Sequence, residues 1–306
     1  MMDSVARWVV RGVSLLLIGP LAAGIAGGVR AIDGSQAATL LTGEGMTAGV
    51  IALVGVGVCV VVAAGVAALV CDRHEAVLNA GFVMAWVAWT SGRMGEAYRL
   101  VPEAGTLIRI ALEAGFVIGV AVVAMLVADR LARRPARDEG LALSGTDFLA
   151  ALRSKQALPT VGVSLGLSLL LAWLFARHDA PGQSLGTAFF CGLGAGVFGS
   201  LAGQSVAAQA GSAPQREAPG VPAMTAVFVP IVVGVLLAGV LGAVIGLFIP
   251  GPGKLLTGVI RQELPGWSLV TPMAWGAGAM IGVPAGISFL QPRHEADTSR
   301  LARREG

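Results

Sequence analysis

The stretch TLIRIALEAGF, Thr106 to Phe116, decides how this chain is to be read. It opens an apolar run that continues to Ala128, yet it carries Arg109 and Glu113 one helical turn apart. In a water-soluble domain two such charges would mark the wet side of an amphipathic helix. In a lipid bilayer they would be costly, and their presence would need a reason. Which solvent applies has to be read from the rest of the chain.

Hydrophobic residues make up 55% of the 306 residues and charged residues only 13%, about half the charge of a soluble domain. Mean hydropathy is +0.79. Length alone would suggest two soluble domains, but the apolar runs are too many and too long, so the bilayer is the main solvent. The net charge of +3 is small, and the basic residues lie in loops and tails without interleaved aromatics. That pattern argues against nucleic acid as a partner. Arginine outnumbers lysine, and alanine and glycine are abundant, which points to a GC-rich bacterial genome and hence to a bacterial cytoplasmic (inner) membrane. Cys59, Cys71 and Cys191 are widely spaced and form neither a disulfide framework nor a metal-ligand pattern.

A membrane span takes about 20 mostly apolar residues. Eight segments qualify: 9–29, 47–71, 76–92, 105–128, 157–176, 184–210, 223–249 and 268–290. Their apolar character is continuous rather than alternating, so they read as helices. The expected fold is therefore all-α, a polytopic bundle of about eight transmembrane helices in a single membrane domain. The third segment is short and contains Asn79; it is retained because the charge pattern requires it. With both termini cytoplasmic, Arg30, Arg93, Arg99, Arg109, Arg177, Lys254 and Arg261 fall outside, and the other fourteen of the 21 basic residues fall inside. This satisfies the positive-inside rule. The basic loop 129–156 and the basic tail 291–306 then lie in the cytoplasm. Trp89, Trp173 and Trp267 come near outer ends and Trp8 near an inner end, as interfacial tryptophans should.

The first segment could also be a cleaved signal peptide, but the run between Arg11 and Arg30 is long for one, and an uncleaved helix is preferred. Two loops carry helical patterns of their own. In LSGTDFLAALRSKQ, Ser144, Thr146 or Asp147 could cap a short helix, and PGPGKLLTGVIRQELPGW repeats apolar residues at helical spacing. Both are expected to lie on the membrane surface. Arg130, Arg133, Arg134 and Arg137 read as a topology anchor.

Motifs that would carry chemistry do not hold up. Gly194, Gly196 and Gly199 match GxGxxG, but inside a membrane segment rather than between a strand and a helix. The pairs Gly192 with Gly196 and Gly199 with Gly203 instead give small-xxx-small faces for helix packing. Gly162, Ser164 and Gly166 match GxSxG, but His74, His178 and His294 all lie in loops or tails, leaving the serine no base. No cofactor, metal or catalytic set is expected, and the chain does not read as an enzyme.

Arg109 sits at the outer boundary, where it can snorkel, with Glu113 about 6 Å deeper. A carboxylate there costs roughly 1–3 kcal/mol, which a partner at i−4 reduces. The preferred reading is a structural ion pair facing the bundle; the alternative makes Glu113 a protonation or ion site on a transport path. A helix starting later would leave both in water. Pro230, Pro272 and Pro284 are hinge candidates on that second reading. The expected function is a non-enzymatic scaffold or accessory subunit of a membrane assembly, with a small-molecule or ion transporter as the alternative. Lipid, other membrane proteins or further copies of the chain are the expected partners.

Overall fold

The computed structural model describes residues 2–100, 104–132, 145–209, 223–247 and 265–290. Among them the chain is mostly helical and has no strand, only an isolated bridge between Arg30 and Gln36. Helix α1 runs through Met2–Val13, a π-helical turn at Ser14–Ile18, and Gly19–Gly27. It is followed by α2 (Met46–Val70), α3 (Arg73–Thr90), the short α4 (Met94–Leu100) and α5 (Ala104–Leu131). Then come α6 (Gly145–Arg153), α7 (Ala157–Phe175), α8 (Pro181–Gln209) and α9 (Ala223–Leu247). The last, α10, is built from Pro272–Ala277, a π segment Gly278–Gly282, and Val283–Ser288.

Among the described residues, five stretches are long and apolar enough to cross a membrane: Val5–Gly27, Met46–Val70, Gly105–Leu131, Ala157–Phe175 and Pro181–Val206. That helix set is compatible with a membrane protein. The remaining expected segments, 76–92, 223–249 and 268–290, overlap α3, α9 and α10. The short helix expected after Ser144 is α6, whose Ala151 is buried beneath α9 and α7. The helix expected within 251–264, and Arg133, Arg134 and Arg137, lie outside the described residues.

Local sequence explains where the helices begin and end. The Asp72 carboxylate accepts the Glu75 N–H (2.9 Å) and so caps α3, which separates it from α2 by a tight turn. Thr271 caps α10 in the same way, with Pro272 at its first position. Pro230, by contrast, lies inside the unbroken α9, and Pro284 follows the π segment of α10.

Packing is densest where glycine removes side chains. A Cβ on Gly192 would strike the Gly278 carbonyl, and one on Gly196 would come within 3.0 Å of the Gly286 Cα. The backbones of α8 and α10 therefore touch directly. Gly199 and Gly203 face the other way, toward Ser164 and Ile231 and toward Thr160 and Val227, which lets α8 approach α7 and α9. At the centre, α3 and α10 place Val83, Met84, Trp275 and Met280 in the buried core.

Contacts between distant parts of the chain define two faces. Arg7 meets Asp72 (3.0 Å) and Arg73 meets Asp129 (2.9 Å), which puts the start of α1, the α2–α3 turn and the end of α5 at one face, called basal. The Gly92 N–H reaches the Ala37 carbonyl (2.9 Å), and the Tyr98 hydroxyl reaches the Ser268 carbonyl (2.9 Å), which defines the opposite, distal face.

Candidate functional site at the distal face

The connection between α1 and α2, residues 28–45, is folded rather than loose. Asp33 accepts hydrogen bonds from the Ser35 N–H (3.0 Å) and hydroxyl (2.7 Å), and Gly34 turns the chain at φ +81°. The Ser35 bonds also hold the Asp33 carboxyl below its usual range. From there Ala37, Ala38, Thr39, Leu40 and Leu41 run back into the bundle and are buried. Leu40–Thr42 make one 3₁₀ turn, entered from an extended Thr39.

Glu113 closes the far side of that turn. Its carboxylate accepts the Leu41 N–H at 2.9 Å, with the Leu40 amide and the Thr39 hydroxyl also turned toward it. The first amides of any helical turn lack intrahelical acceptors, and a carboxylate suits them both as acceptor and as negative charge. Glu113 is 1% exposed. Arg109 is placed differently. It reaches a pocket between residues 31–42, α4 and the first turns of α5, together with Arg93, Glu96, Gln36, Thr42 and Thr106. Glu113 does not line that pocket.

The ion pairs among the described residues are Arg7–Asp72, Arg11–Glu75 and Arg73–Asp129, so the charges of Arg109 and Glu113 serve separate surroundings. Of these cations, Arg11 is the one paired with the most buried carboxylate. It grips Glu75 with two nitrogens, Nε at 2.9 Å from Oε2 and a second to Oε1, while its guanidinium lies 5.5 Å from the Trp8 ring. Glu75 is 2% exposed, and its carbonyl accepts the Asn79 amide (2.7 Å). This basal cluster was not visible as a motif, because its partners are 64 and 65 positions apart. The Glu113 contact had one faint signal, the apolar run Ala37 to Leu41 inside an otherwise polar connection.

The described residues contain no group of three or more histidine, cysteine or acidic side chains placed to hold a metal ion. Comparison of the chain with protein-family models, curated proteins and solved structures finds no match.

Proposed function

We propose that this chain is a multi-pass integral membrane protein of eight spans. Both termini lie on the cytoplasmic side of a bacterial inner membrane, and it works as a non-enzymatic scaffold or accessory subunit of a membrane assembly. The excess of basic residues on the segments assigned to the cytoplasm supports the orientation. The observation that carries the role is the state of Glu113. A transport carboxylate must meet water or its substrate during the cycle, whereas this one is 1% exposed and accepts a backbone amide. The pocket above it is lined by Thr106 and Arg109 but not by Glu113. The charge therefore supports a connection between helices, as expected of a rigid scaffold.

The test is purification from the native membrane in mild detergent, followed by mass spectrometry of what remains bound. A stoichiometric protein partner is the expected result. A chain that comes away alone and gives pH-dependent flux in liposomes, lost in Glu113→Gln, would sink the scaffold reading.

A further inference from the structure

We infer that the distal pocket binds a phosphodiester, held by Arg93 and Arg109. Arg93 and Arg109 both line the pocket, and neither has an ion-pair partner among the described residues. Guanidinium is the side chain best matched to phosphate, because its planar fork offers parallel N–H donors to two oxygens. Thr42 and Gln36 also line the wall formed by residues 31–42, with the Thr42 hydroxyl donating to the Thr39 carbonyl (3.1 Å) and the Gln36 amide to the Ala26 carbonyl (3.3 Å).

Charge selects among phosphates. Glu96 also lines the pocket, so the ionisable groups among its described lining residues sum to one positive charge. A phosphodiester carries one negative charge, whereas a phosphate monoester carries between one and two near neutral pH. The diester neutralises the pocket, and the monoester would place surplus charge beside Glu96.

The setting points to where such a group could come from. Arg109 lies on α5 between Ile108 and Leu112, both more than half exposed or nearly so, at 50% and 56%. Leu100 and Ile32 at the pocket's edge are also exposed. If the bundle spans a bilayer as proposed above, this apolar rim meets acyl chains and the pocket lies at headgroup depth. Only the source of the ligand depends on that reading. A free diester arriving from water would meet the same two arginines.

The test uses the detergent-purified full chain and thermal unfolding with four probes: short-chain phosphatidylglycerol, diacylglycerol of equal chain length, dimethyl phosphate and inorganic phosphate. Phosphatidylglycerol is expected to raise the unfolding temperature, and diacylglycerol is expected not to. Arg93→Gln with Arg109→Gln should weaken the apparent affinity for the phospholipid about tenfold or more, since each lost contact is a charge-assisted hydrogen bond. Arg99→Gln, on the exposed part of α4 away from the pocket lining, should leave it unchanged. Should the double variant fold poorly, Arg93→Gln alone carries the test, because Arg93 is exposed. Stabilisation by dimethyl phosphate as well would identify a free diester as a ligand, and stabilisation by the phospholipid alone would identify a headgroup. Phospholipid binding that is unaltered in the arginine variants, or inorganic phosphate binding tighter than both diesters, overturns the inference. Because the assay needs neither a bilayer nor a protein partner, its failure leaves the scaffold reading standing, and the failure of that reading leaves the pocket standing.

Discussion

At the scale of single residues, Glu113 shows how a charge in an apolar helix can be structural without pairing with its neighbour at i−4. Its carboxylate accepts the Leu41 amide across 72 positions of sequence. Glu113→Ala should therefore leave that buried amide without an acceptor, at a cost of about 1–3 kcal/mol. The loss would appear as a lower unfolding temperature in detergent and as faster hydrogen exchange at the amides of residues 40–41. Unchanged exchange there would mean that the carboxylate does not hold the turn. The sequence made Glu113 conspicuous, because a charged residue inside an apolar run stands out by composition alone. It could not show the partner, since backbone amides of a distant connection leave no mark in side-chain spacing. Asn79 was equally visible as a polar residue at depth, but its bond to the Glu75 carbonyl depends on a helix starting at Arg73.

At the scale of helices, two contacts set how the bundle closes. The first is Arg11 with Glu75, where Arg11 keeps 30% of its side chain exposed and Glu75 only 2%. Arg11→Met should destabilise by roughly 2–3 kcal/mol, somewhat less than the ~3–5 kcal/mol of breaking a fully buried pair, because water still reaches the guanidinium. Replacing both, Arg11→Met with Glu75→Leu, should recover much of that loss by removing the stranded carboxylate. An Arg11→Met variant as thermally stable as the unsubstituted chain would show that the pair contributes nothing. The second contact is the crossing of α8 and α10. A Cβ at Gly282 would lie 2.5 Å from the Phe189 carbonyl oxygen and 2.8 Å from the Leu193 nitrogen. Gly282→Ala should therefore force the helices apart and cost about 1–3 kcal/mol. Gly162→Ala, with open space around it, should stay within about 0.5 kcal/mol. The glycines of α8 were legible as packing residues from spacing alone. Their partners were not, because a glycine face suits any backbone that can approach it.

At the scale of the whole molecule, the all-helical architecture was readable from continuous apolar runs. The proposed orientation is open to direct attack through Cys71, at the basal turn, because Cys59 and Cys191 are buried. A membrane-impermeant thiol reagent should label inverted vesicles and leave intact cells untouched. Burial and the nearby carboxylates of Glu75 and Asp72 push the Cys71 thiol up. Its labelling should therefore keep accelerating as the pH rises past about 8.5, where an ordinary thiol levels off. Labelling of intact cells would reverse the orientation. The Arg11–Glu75 pair also constrains the order of assembly. On the membrane reading, α1 carries this cation at the cytoplasmic edge of its span while its counterion, 64 residues further on, has yet to be synthesised. The first helix is then an incomplete object until the third arrives. A chain truncated before Glu75 should leave α1 loosely held, and one extended through α3 should lock it in place.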